Sequence, residues 1–182
     1  MSVRSLTSKV VMTAAMSLAA LSIFAQGKID WVTWEEAIEL SKTEPRKIVV
    51  DVYTDWCGWC KKMDKATFQQ EIVAEYVNEN FYAIKFNAEM REDIVMNDEV
   101  YSFVKKGKNG YHELAAKITY GRLSYPTIVF LDEEMEVIQP IPGFKDPDKF
   151  SIIMTYFSED HHKTTPWKTF CNKYESVQPT KD

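Results

Sequence analysis

The chain has 182 residues, of which 45% are hydrophobic and 27% charged, the make-up of a globular protein with enough chain for one core and some additions. Its formal net charge is −5, and it carries no basic cluster with interleaved aromatics, which argues against nucleic acid as a partner. Three cysteines are too few for a disulfide scaffold and match the count of a redox or metal site.

In chain order, Arg4 and Lys9 precede the uncharged run Val10 to Phe24, which ends beside the small residue Ala25. A short basic region, an apolar stretch shorter than the roughly 20 residues of a spanning helix, and a small exit residue describe a secretory signal peptide over 1–25. An uncleaved anchor is the alternative, because Ile23-Phe24-Ala25 is an imperfect cleavage site. No cysteine is placed for a lipoprotein box. Cleavage would remove two basic and no acidic residues, leaving a net charge of −7 and a periplasmic or secreted protein, where disulfides persist. The domain is expected over 26–158 and a C-terminal extension over 159–182.

Thr33 and Glu36 fit a capping box opening a helix with Trp34, Ala37, Ile38 and Ser41 at helical spacing, closed by Pro45. Lys47 to Thr54 is β-rich and apolar on both faces, as a central strand would be. A helix follows from about Gly58, restarting after Thr67 and running to Asn78, and Phe81 to Ala88 is a second central strand. Two helices are expected over Asp93–Val104 and Tyr111–Ile118, separated by a loop with two glycines. The runs TIVFLD and MEVIQPI read as strands joined by an acidic turn. Asp146 and Pro147 open a closing helix, and a short helix follows in the tail. There Trp167, Phe170 and Tyr174 share a helical face expected to pack on the domain. Alternating strands and helices, then an antiparallel pair, imply an α/β fold with a central mixed sheet flanked by helices.

The chemistry concentrates in DVYTDWCGWCKKMDKATF, Asp51 to Phe68. With Cys57 at the N-terminus of the helix after the first strand, free backbone N–H groups and the helix dipole favour its thiolate. Cys60, one turn on, faces the same side, close enough that a small adjustment closes or opens a disulfide. That suits exchange, with Cys57 attacking a partner's disulfide and Cys60 resolving the product. Trp56 is expected to shield one side of the pair while leaving Cys57 reachable. Two alternatives stay open: a structural disulfide, and a zinc site drawing on Cys57, Cys60, His161 and Cys171, with His112 and His162 as further candidates.

VVDVYTDWCGWCKK resembles the strand–Trp-Cys-x-x-Cys-Lys–helix signature of the thioredoxin superfamily, and SYPTIVFLD resembles its second signature, a proline opening the strand opposite the active site. Gly143 sits where the family has a glycine after the last strand. The active-site stretch is especially similar to the periplasmic domain of membrane thiol:disulfide interchange reductases. The resemblance implies a thioredoxin-like fold with an N-terminal helix, Cys57 as nucleophile and Cys60 as resolving cysteine, joined in a redox-active disulfide. It also implies Pro126 as a cis-proline that presents the Tyr125 backbone to an extended substrate, with Trp56, Gly58 and Trp59 around it. Asp51, six residues before Cys57 in an apolar strand, should be desolvated with a raised pKa and fit to act as base for Cys60. Lys85 matches its family partner. The plainer reading leaves Asp51 facing water at a strand edge. Glu89, Glu92 and Asp93 read as a solvated helix start, and Cys171 as a half-buried thiol.

Two departures stand out. Trp59 replaces the family's proline between the cysteines, pointing to a less reducing couple than thioredoxin's, and the helix lacks the kinking proline, with Lys65 nearby. The expectation is an exported thiol–disulfide oxidoreductase with no cofactor and no metal. It would reduce or relay disulfides in exported proteins and draw on a membrane electron donor. Disulfide oxidation or isomerisation, and a non-catalytic binding module, are the rivals.

Overall fold

The computed structural model describes residues 28–177, so the expected signal segment 1–25 lies outside the described residues. A two-residue strand, β1 (Trp31–Val32), precedes α1 (Trp34–Thr43). The capping box forms as expected. Glu36 N–H donates to Thr33 Oγ1 at 3.1 Å and Thr33 N–H to Glu36 Oε2 at 2.8 Å, which satisfies donors that a helix start otherwise leaves unpaired. After β2 (Lys47–Tyr53), Cys57 caps α2 (Gly58–Met63), which widens into a π turn at Asp64–Phe68. That turn breaks the helix without the family's proline. Then α3 (Glu71–Asn80) returns the chain to β3 (Phe81–Asn87).

The helix expected over Asp93–Val104 is not there. In its place β4 (Ile94–Met96) and β5 (Glu99–Tyr101) form an antiparallel hairpin. Asn97 and Asp98 both take positive φ, 52° and 61°, the backbone that a two-residue hairpin turn demands and that Asn and Asp tolerate. Ile94, Met96 and Tyr101 are buried while Val95 and Val100 face out, a period of two rather than 3.6. A second hairpin, β6 (Phe103–Lys106) and β7 (Asn109–His112), takes up the expected glycine loop and the start of the next helix. Gly110 is fixed by packing, because a Cβ there would lie 2.2 Å from Phe103 Cζ. The expected second helix is therefore shorter, α4 (Glu113–Ile118).

The last strands, β8 (Thr127–Leu131) and β9 (Val137–Pro142), flank the acidic turn, and α5 (Pro147–Ser158), α6 (His161–Thr164) and α7 (Trp167–Val177) close the chain. Asp146 caps α5 by accepting from Lys149 N–H at 2.8 Å. The main sheet runs β1-β3-β2-β8-β9, with β3 parallel to β1 and β2, and β8 antiparallel to both β2 and β9. This is the expected mixed sheet. Pro140 and Pro142 lie on its edge strand β9, where missing N–H groups blunt further pairing.

Alternation along the strands builds two cores. Val49, Ala83, Ile128 and Phe130 join residues of α3, α5 and α7 on one face; Ile48, Val50, Ile84 and Val129 join α1, α4 and the β4–β5 hairpin on the other. Trp167, Phe170 and Tyr174 pack on the first core, as their spacing predicts. Phe130 is fully buried there and stacks on Phe157 at 4.4 Å. Phe130→Ala should therefore cost about 3–5 kcal/mol in urea unfolding; a loss below about 1 kcal/mol would mean this stack does not anchor α5 to the sheet.

Candidate functional site

Cys57 and Cys60 are joined in a disulfide, their Cα atoms 5.3 Å apart. Cys57 is the N-cap of α2, with extended backbone, and its Sγ accepts the Cys60 N–H at 3.0 Å. A helix start thus directs a free N–H at the sulfur that would bear charge after reduction. Both cysteines are buried in this oxidised form. Gly58, between them, is exposed, and a Cβ there would meet nothing within 4 Å.

The two sequence signatures meet through rings. Trp56 packs edge-on against Tyr125, centroids 5.8 Å apart, and the Tyr125–Pro126 bond is cis. Gly143, at φ 86°, donates its N–H to the Pro126 carbonyl at 2.7 Å, tying the turn after β9 to the same place. Trp59 lies against Phe144 at 5.7 Å, with Lys62 Nζ over both rings at 4.7 and 5.1 Å. Trp56 and Trp59 remain 66% and 58% exposed, although each packs against a neighbouring ring. Glu89 is not in a helix start. Its carboxylate accepts Trp56 Nε1–H, both oxygens at 3.1 Å, and with burial it pushes the Tyr125 hydroxyl pKa up.

Beneath this surface Asp51 faces the core, only 2% exposed, not water at a strand edge. Strand β2 pairs it with Lys85 on β3, and Lys85 Nζ stands 3.5 Å from Asp51 Oδ2. Lys85 also pairs with Asp64 in the π turn, and lies over the rings of Trp31, Tyr53 and Phe68 at 5.1–5.6 Å. One cation therefore serves two carboxylates. Asp51 Oδ1 is buried and, among the described residues, has no hydrogen-bond partner. Burial pushes the Asp51 pKa up to about 7; Lys85 opposes the rise and Asp64 adds to it. Asp64 was not singled out in the sequence, yet its position four after Cys60 puts both on one helix face.

The alternative zinc ligands do other things. His161 pairs with Glu159 and packs on Phe170, and Cys171 is half-buried on α7. His112 engages the Glu92 carbonyl and the Leu114 N–H. Among the described residues no group of three or more His, Cys, Asp or Glu is arranged to hold a metal ion.

A mixed sheet flanked by helices, a Cys-x-x-Cys at a helix start and a cis-proline turn beside it define a thioredoxin-fold protein. A solved structure described as "DsbH Oxidoreductase" shares the fold, with a TM-score of 0.54 at 16% identity, covering 85% of this chain and 95% of that one. The chain belongs to the family described as "Protein of unknown function, DUF255" (Thioredox_DsbH), whose model matches residues 13–170. It is 34% identical over 88 residues to rat (Rattus norvegicus) spermatogenesis-associated protein 20, covering 47% of this chain and 11% of that protein. It is 26% identical over 114 residues to the thiol:disulfide interchange protein DsbD of Actinobacillus pleuropneumoniae, covering 62% of this chain and 16% of that protein. The chain thus spans a small fraction of the curated relatives it matches. The fold, the cysteine spacing and the similarity to a thiol:disulfide interchange protein together support thiol–disulfide redox activity.

The Asp51 pKa carries a stability consequence. The unfolded chain releases this proton near 3.8 and the folded protein near 7, so between those values the folded form holds more protons and stability falls as pH rises. Asp51→Asn should leave stability nearly unchanged at pH 3 and raise it by roughly 4 kcal/mol at pH 8. Urea unfolding of both oxidised proteins across pH measures it; parallel curves would contradict the burial argument.

Proposed function

We propose that the chain is an exported thiol–disulfide oxidoreductase that reduces or relays disulfides in proteins outside the cytoplasm. In its reduced form the Cys57 thiolate attacks a client disulfide, forming a mixed disulfide and expelling one client sulfur as a thiolate that takes a proton from water. The Cys60 thiol gives its proton to Asp51 and attacks Cys57 Sγ, so the second client sulfur leaves as a thiolate, which becomes a thiol by taking up the proton that Asp51 releases, and the protein is left oxidised. Two electrons pass from the dithiol to the client, and a membrane electron donor returns them. A carboxyl with a pKa near 7 is matched to that proton transfer at neutral pH. Lys85 steadies the carboxylate once it forms, and the Tyr125 backbone beside cis-Pro126 aligns the client as an added strand between Trp56 and Trp59. No bound cofactor enters these steps.

The observation that carries the reading is a Cys57–Cys60 disulfide at the start of the helix that follows β2, the strand that also carries the buried Asp51 carboxyl. The resemblance of the active-site stretch to the periplasmic domain of membrane thiol:disulfide interchange reductases favours the reducing direction, a periplasmic location and a membrane partner, and the basic–apolar segment 1–25 favours export. Oxidation or isomerisation is the competing direction, and a binding module without catalysis the competing class. Trapping separates them. A Cys60→Ser variant should accumulate mixed disulfides through Cys57 and lose insulin reduction, while Cys57→Ser loses both. Refolding of a scrambled disulfide protein that outpaces insulin reduction would reverse the direction, and a Cys57→Ser variant with full function would remove catalysis altogether.

A further inference from the structure

A cavity of about 460 Å³ lies between β9 and α5, walled by Ile138, Ile141, Ile153 and Phe157, with Trp167, Lys145 and Lys149 also at its lining. That volume is within the range of specific binding pockets. None of the residues lining it is acidic, in a protein with 27 Asp and Glu against 22 Lys and Arg. The acidic neighbours lie outside the lining: Asp146 caps α5, Asp148 is exposed, and Asp160, near the lining His162, pairs with Lys47 and Lys163.

Three consecutive residues link the surroundings of the disulfide to the cavity wall. Gly143 holds the Pro126 carbonyl, Phe144 meets Trp59 under Lys62, and Lys145 enters the cavity wall. Lys149 then lies over the Trp167 ring at 5.0 Å. The path alternates cations with aromatic faces from the cysteines to the apolar chamber. Lys145 donates to the Pro142 and Gly143 carbonyls; burial and the like charge of Lys149 press its pKa down, a strain that an anion between the two lysines would relieve. Backbone pairing along β9 is obstructed by Pro140 and Pro142, so an occupant here is gripped by side chains.

We infer that this basic–aromatic stripe seats an acidic, apolar segment of the protein whose disulfide the site exchanges, its carboxylates on Lys62, Lys145 and Lys149 and an apolar side chain in the cavity. The inference rests on the dithiol reading above, and the test tells their failures apart. Two synthetic peptides each carry one cysteine as a mixed disulfide with 2-thiopyridine, flanked on both sides by Glu-Leu-Glu-Phe in one and Lys-Leu-Lys-Phe in the other. The reduced full chain spends its two thiol electrons to release thiopyridone and the peptide thiol.

The acidic peptide should react about tenfold faster than the basic one at low salt, and the ratio should shrink towards one at about 0.5 M salt. Lys149→Glu should remove the preference by raising the acidic-peptide concentration that half-saturates the single-turnover rate, with the limiting rate unchanged, while neutral 2,2′-dithiodipyridine reacts at the parental rate. Equal rates for the two peptides, or a preference that survives both salt and K149E, overturns the stripe and leaves the dithiol chemistry standing. Decanoate binding at the cavity without any peptide preference also overturns it, assigning the chamber to a free amphipathic carboxylate. A reduced protein inert towards dithiodipyridine overturns the dithiol reading and the stripe with it.

Discussion

A single lysine shared by two carboxylates, on the core side of the central sheet, is the constraint around which the site is built. Lys85 answers both Asp51 and Asp64; burial disfavours the Asp51 carboxylate, and a cation shared with a second carboxylate does not offset it. The more deeply buried carboxyl, Asp51, therefore holds its proton into the neutral range. This arrangement needs β2 in the middle of the sheet and β3 in parallel register beside it. It also needs a helix that carries Asp64 back over the sheet, which the π turn provides. Three ring faces cover part of the Lys85 ammonium without supplying another charge.

The surface above that cluster is electrically lopsided. On one side Trp56 is held by Glu89 and braced by Tyr125; on the other Trp59 and Phe144 lie under Lys62. Under the proposed function such a gradient would orient an approaching client before any bond is exchanged. The glycine turn at Gly143 and the cis bond at Pro126 hold the two sides in register through one backbone hydrogen bond.

Much of this was legible because its signals are local. The Thr33–Glu36 box, the apolar run of β2, the Asp146 cap and the Cys57–Cys60 spacing each state their structure within a few residues. Asp51 was readable for the same reason: a carboxylate flanked by valines on a strand apolar on both faces has nowhere to reach water. The hairpin at Ile94–Tyr101 was not. Its apolar residues are few enough to satisfy either period, and only the left-handed backbone of Asn97 and Asp98 decides between them. Glu89 and Phe144 were hidden because their roles depend on partners 33 and 85 residues away, Trp56 and Trp59. Asp64 lay within reach of a helical-wheel argument but gains its meaning from Lys85, on another strand.

The account stands or falls on the acidity of one sulfur. Reduced protein should be alkylated at Cys57 by iodoacetamide over a range of pH, with the modified peptide quantified by mass. The N-cap position and the N–H aimed at Cys57 Sγ predict an inflection well below the pKa of about 8.5 of an ordinary thiol. An inflection at or above that value, with labelling no faster than that of a cysteine in an unstructured peptide, would contradict it.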